Sequence, residues 1–276
     1  VNESFANYSE YLWLDHKYGK DEADYHLSNN TLQYLHREDD FLKNLVRFGY
    51  DARDDVFDLV SYNKGGAILH MLRRYLGDEA FFQGITDYLK SNEYGTGEAH
   101  QLRLSFEKIS GKDLSWFFNQ WYFGNGNPKV EVKEQYDASK KQLTVKIRQT
   151  QEENLYFQFP LDIDIYQNGK ATRHTVWVSA KGENIFSFPA AKAPELVDIN
   201  PEGVIVMEEE YLKSVKELLY QVQHAPELKS RMQAITSLGE NEGKEVLLAA
   251  LRDPYFKVRN MALERLSDFS LNKKEL

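Results

Sequence analysis

Asn2-Glu3-Ser4-Phe5-Ala6-Asn7-Tyr8-Ser9-Glu10 opens a segment whose apolar residues recur at helical spacing, predicting a helix from Asn2 to Tyr18 with Gly19 as its C-terminal stop. Glu3 and Glu10 are seven residues apart and share one face of that helix with Asn7 and Leu14. By spacing alone, this face is a solvated acidic stripe.

About sixty residues on, Ser61-Tyr62-Asn63-Lys64-Gly65-Gly66-Ala67 sets a tyrosine and a lysine just ahead of a helix start. The two glycines there allow a neighbouring backbone close approach. Taken alone, this is a helix N-terminus with Tyr62 packed on a neighbour. Helices are predicted over 21–47, 65–76, 78–90 and 98–109. A sixth, aromatic helix runs over 114–123 and stops at Gly124-Asn125-Gly126-Asn127-Pro128. Residues 1–128 carry a net charge of −7.

The period then changes. Val130 and Val132, then Leu143, Val145 and Ile147, then Leu161, Ile163 and Ile165 alternate with polar residues, as half-buried strands do. Asn168-Gly169 is a tight hairpin turn, after which Thr175–Val178 returns. Several short strands at this spacing predict a small β-sandwich over 129–210. Residues 211–276 turn helical again and contain a repeat. Pro226, Lys229, Arg231, Ala234 and Leu238 recur 28 residues later as Pro254, Lys257, Arg259, Ala262 and Leu266. One unit is a helix from about Glu227, a turn at 239–243 and a helix over 244–252. The pattern resembles a short HEAT-type repeat, and the second unit ends after one helix and a polar tail. Glu153-Asn154-Leu155-Tyr156-Phe157-Gln158 looks like the recognition site of a viral protease used to remove tags. It runs on through Phe159-Pro160 into a patterned strand with no tag beside it, and so reads as native sequence.

Composition narrows the function. The 276 residues carry a formal net charge of −9, which argues against a nucleic-acid partner. With no cysteine there is no disulfide framework, thiolate metal site or cysteine nucleophile. No apolar run approaches the roughly 20 residues of a transmembrane helix. The compartment stays open between periplasmic or secreted and cytoplasmic, and nothing fixes an oligomeric state. No HExxH, GxSxG or GxxxxGK[ST] motif occurs. His70, in an apolar helix, reads as a satisfied core histidine, and the other six histidines as surface residues.

The 2–10 segment resembles the stretch that follows the HExxH helix in gluzincin aminopeptidases of the aminopeptidase N type, which reads roughly Leu-Asn-Glu-Gly-Phe-Ala-x-Tyr-x-Glu. Val1 stands for the Leu and Ser4 for the Gly. Tyr62-Asn63-Lys64-Gly65 resembles the family's catalytic-tyrosine motif, and Gln120–Phe123 with Gly126-Asn127-Pro128 resembles the end of its catalytic domain. A sandwich and a helical domain follow in the family's order. The implied fold is multidomain α+β: the α-helical second half of a thermolysin-like catalytic domain over 1–128, a β-sandwich over 129–210, and the start of a HEAT-like repeat domain over 211–276.

The resemblance implies that Glu3 is a zinc ligand, completing a site with two histidines from the absent HExxH segment. It implies that Tyr62 is the catalytic tyrosine, whose phenol stabilises the tetrahedral intermediate. Glu10 matches a family position where a contact behind Glu3 would orient that ligand. Lys64 and the glycines look structural. The Ser4 hydroxyl would tighten the path past the site. The implied enzyme is a zinc metallo-aminopeptidase that removes N-terminal residues from peptide substrates with zinc-activated water. One zinc ion is implied as cofactor.

Val1 is read as a cut just after the metal-binding helix. The chain alone is expected to be inactive and to expose apolar surface on its cut side. The rival is a non-catalytic relative serving as a scaffold or a peptide- or partner-binding module. The leukotriene-hydrolase branch passes straight from catalytic domain to helices, so the predicted sandwich argues against it. A pure helical-repeat module fits only the last sixty or so residues.

Overall fold

In the computed structural model, residues 2–152, 155–240, 242–267 and 269 are described. Val1, Glu153 and Asn154 of the protease-like string, and the polar tail after Leu266, apart from Ser267 and Phe269, lie outside these residues. The chain is mixed α+β. It divides into two compact units, one comprising the described residues of Val1–Pro128 with Val204–Glu208, the other those of Lys129–Gly203 with Glu209–Leu276. Among the described residues no helix is long and apolar enough to cross a membrane.

The first unit is helical. α1 spans Asn2–Tyr18 and α2 Lys20–Leu35, followed by a four-residue turn of helix, α3, at Glu38–Phe41. A 3₁₀ turn occupies Arg53–Val56 and a π-helical turn Val60–Lys64. α4 (Gly65–Leu76), α5 (Asp78–Ser91), α6 (Ala99–Ser110) and α7 (Ser115–Trp121) complete it. The helix expected over 21–47 is therefore broken. Beyond Leu35 the chain takes tertiary partners instead of its own turns: the Val46 N–H donates to the Tyr122 carbonyl at 2.9 Å and the Asn44 amide to the Phe123 carbonyl at 2.8 Å.

The aromatic helix α7 supplies core rather than surface. Phe117, Phe118, Trp121 and Tyr122 are buried, and Phe118 stacks on Tyr122 with ring centroids 4.4 Å apart. Phe81 of α5 stacks on Phe106 of α6 at 5.5 Å. Gly84 makes room for that ring, since a Cβ there would lie 2.3 Å from Phe106.

The second unit holds two sheets. β1 (Lys129–Asp137), β2 (Gln142–Gln149), β5 (Glu183–Pro189) and β7 (Glu208–Glu210) form one, in the order β5-β2-β1-β7. β3 (Phe159–Gln167), β4 (Lys170–Val178) and β6 (Leu196–Ile199) form the other, in the order β4-β3-β6. β1–β2, β2–β5, β3–β4 and β3–β6 pair antiparallel. Leu143, Val145 and Ile147 are buried at alternate positions of β2. The Asn168-Gly169 turn between β3 and β4 has φ of 54° and 72°, the two positive values such a hairpin requires.

Four helices follow: α8 (Val215–His224), α9 (Leu228–Thr236), α10 (Lys244–Ala250) and α11 (Phe256–Leu266). The sequence repeat has a bonded counterpart. Arg231 donates to the Pro226 carbonyl at 2.5 Å, and 28 residues later Arg259 donates to the Pro254 carbonyl at 2.9 Å.

Candidate active site

α1 and the π-turn bring Glu3 and Tyr62 together across 59 residues of chain. Glu3 sits in the first turn of α1, half-buried, with its carboxylate close enough to the Tyr62 phenol to act on it electrostatically. The Glu3 carboxylate, as a nearby acceptor and negative charge, raises the Tyr62 phenol's pKa above the ordinary tyrosine value.

Tyr62 stands on a single π-turn, in which the Lys64 N–H reaches back five residues to the Leu59 carbonyl at 2.9 Å. Such turns widen a helix locally and often mark functional sites. This one is anchored at its start by Asp58. One carboxylate oxygen accepts from the Val60 and Ser61 N–H groups at 3.1 and 3.0 Å, and the other from Arg47 at 2.7 Å and Lys43 at 3.4 Å. Burial alone would raise the Asp58 carboxyl, but the Ser61 N–H, Arg47 and Lys43 outweigh it and hold it below the usual carboxylate range. The Phe57 ring, more than half exposed, lies 6.2 Å from that of Tyr62.

The two glycines let α1 lie against the turn and α4. A Cβ at Gly65 would fall 2.1 Å from the Ser4 hydroxyl oxygen, and one at Gly66 would fall 2.2 Å from the Asn7 amide oxygen. Ser4 is buried, and its hydroxyl donates to the Ser61 carbonyl at 2.8 Å. This corrects the expectation that Ser4 narrows the path past the site: its hydroxyl points into the α1–π-turn seam. Deeper in the same seam, His70 is the satisfied core histidine its sequence context suggests. Its Nδ1 meets the Tyr8 hydroxyl at 3.2 Å, and burial lowers its pKa to about 3. Arg73 reaches the same hydroxyl at 3.4 Å and holds Asp78 at 2.8 Å.

Lys64 is buried, as its structural reading implies. It donates to the Gly126 carbonyl at 2.9 Å and lies 5.2 Å from the Tyr34 ring centroid, and burial lowers its pKa to about 7. It thus ties the Tyr62 turn to the Gly124–Pro128 stop. Glu10 does not back Glu3. It is exposed and faces His26 of α2, 3.2 Å away. Seven residues of α-helix separate the two carboxylates by about 10.5 Å along the axis, too far for contact.

Glu3 offers a partly exposed carboxylate with a phenol donor beside it, chemistry that suits one ligand of a zinc ion. Among the described residues, no group of three or more His, Cys, Asp and Glu side chains is gathered as a metal set. The Asp58 anchor and the Ser4–Ser61 bond are absent from the sequence reading. Asp58, directly before the apolar pair Leu59-Val60, was the available signal for the first, because acidic residues there accept from the next free N–H groups. No local pattern announces the second.

Residues 1–121 match the model of the peptidase family M1 domain. The chain is 29% identical over 184 residues to a leucyl aminopeptidase of Saccharolobus solfataricus, which covers 63% of this chain and 22% of that protein. It is 34% identical over 139 residues to the tricorn protease-interacting factor F2 of Thermoplasma acidophilum, covering 48% and 17%. It is 31% identical over 146 residues to aminopeptidase N of Lactococcus lactis, covering 48% and 16%. The chain thus spans about a fifth of the length of these curated relatives. Among solved structures, aminopeptidase A of Legionella pneumophila in complex with aspartic acid aligns with a TM-score of 0.69. It is 18% identical and covers 99% of this chain and 31% of that one, a likeness of fold.

Proposed function

From the match of residues 1–121 to the peptidase family M1 domain, we propose that this chain is part of a zinc aminopeptidase that hydrolyses N-terminal residues from peptides. The placing of Glu3 beside Tyr62 supports the proposal: it sets a carboxylate ligand near the phenol that the chemistry requires. Zinc, when bound, would supply Lewis-acid activation of the attacking water. Glu3 would hold the metal as its carboxylate ligand. Tyr62 would aim its proton at the oxyanion that develops on the scissile carbonyl, a charge present only near the transition state. A tyrosine phenol, with its ordinary pKa of about 10, keeps that proton at neutral pH. Asp58 would keep the turn beneath Tyr62 still, so that little reorganisation accompanies the reaction.

Residues 129–210 are proposed as a β-sandwich, supported by two sheets with buried alternating faces. Residues 211–276 are proposed as HEAT-like repeats, supported by the recurring proline-to-arginine bond. One carboxylate does not retain a catalytic zinc ion, so the 276-residue chain is expected to show no aminoacyl-chromogen turnover with added zinc. In the complete enzyme, Tyr62→Phe should lower kcat by about 10²–10³ with KM little changed. Turnover by the isolated chain, or a Tyr62→Phe enzyme of normal kcat, contradicts the proposal.

A further inference from the structure

We propose that Ser4 is a positioning residue whose hydroxyl, by holding the Ser61 carbonyl, fixes the turn that presents the Tyr62 phenol to Glu3. The inference rests on the site reading above and adds a part to it. Ser4 directly follows Glu3 and Ser61 directly precedes Tyr62, so a single 2.8 Å bond joins the two site-bearing segments with no residue between the bond and either functional side chain. Both serines are buried, at 1% and 8% exposure, so water does not compete for the bond. The fit is tight, because the Ser4 side chain fills the space a Cβ on Gly65 would need.

The other restraints on the turn act elsewhere. Asp58 holds the N–H groups of Val60 and Ser61, and Lys64 holds the far end through Gly126. Among the described residues, the Ser4 bond is the hydrogen bond that ties the backbone of the turn to the helix that carries Glu3. Loss of it leaves the backbone of the turn without that tie to α1, free to shift by the few tenths of an ångström that matter for a phenol aimed at a developing charge. Ser4 stands where the resemblance leads one to expect glycine, so the brace belongs to this chain's version of the seam.

The test is a double-mutant cycle in the complete enzyme: Ser4→Ala, Tyr62→Phe and the pair, with backbone amide exchange of residues 60–64 followed in each. Ser4→Ala is expected to lower kcat roughly tenfold with KM within about twofold, and to speed exchange at 60–64 while exchange across α5 and α6 stays unchanged. In the Tyr62→Phe background it should cost nothing further, because the group it positions is gone. A purely structural role would instead give additive losses and faster exchange throughout the unit. Ser4→Cys, close in shape but a weak donor, serves if Ser4→Ala does not fold and should show the same pattern. Normal kcat in the Ser4 variants, additive losses, or unchanged exchange at 60–64 overturns the positioning role. A Tyr62→Phe enzyme of normal kcat overturns the site reading itself, and the positioning role with it.

Discussion

The α1–π-turn seam in the first unit and the arginine-bearing repeat in the second solve opposite problems with polar groups. In the seam, Glu3 and Tyr62 meet half-exposed, with Ser4, Asp58 and two glycines shaping the backbone around them. In the repeat, Arg231 is buried, paired with Asp253 at 2.7 Å and with the Pro226 carbonyl, while its counterpart Arg259 is half-buried and donates to the main-chain carbonyls of Asp253 and Pro254. The seam leaves its functional polar groups within reach of a ligand. The repeat uses the same kinds of bond to lock helices, with its Arg231–Asp253 pair buried.

The largest expected effect lies in the repeat. Arg231→Ala leaves the Asp253 carboxylate buried without its cation and should cost about 3–5 kcal/mol, read as a lower urea midpoint. In the seam, Gly65→Ala should cost about 1–3 kcal/mol despite the better helix propensity of alanine, because the new methyl meets Ser4. A gain in stability there would break the close-approach account.

Lys64 sharpens the contrast through pH. Its folded pKa, about 7, lies below the unfolded value of 10.5. Between these values the unfolded chain binds the extra proton, so stability rises with pH by up to about 1.4 kcal/mol per pH unit; below the folded value both states are protonated and the burial penalty is full. Lys64→Met should flatten the rise seen between about pH 7 and 10 in urea titrations, and an unaltered slope would show that the ammonium is not desolvated. The smallest effect is expected for Arg259→Ala, about 1 kcal/mol or less, since only half-buried bonds to carbonyls are lost. A loss equal to that at Arg231 would mean the two repeats are energetically equivalent.

Elements with a strong period or an unambiguous stop were legible in the sequence. α1 runs from Asn2 to Tyr18 and α4 from Gly65 to Leu76, as read, and the Asn168-Gly169 hairpin turns where expected. The broken helix beyond Leu35 was not legible, because its interruption depends on Tyr122 and Phe123, some eighty residues away. Glu3 and Tyr62 were identified only through the resemblance, since a lone carboxylate and a lone tyrosine carry no signal of their own. The π-turn has no periodicity to detect. The Ser4 brace was missed because it joins two serines 57 residues apart, and the orientation of Ser4 depends on Gly65 being beside it.

The central claim is that Glu3 holds metal while Tyr62 acts on the substrate, and zinc content of the complete enzyme tests it most directly. Purified Glu3→Ala protein should lose its zinc, and Tyr62→Phe protein should retain one ion per chain. Full zinc occupancy in the Glu3→Ala protein would contradict the account.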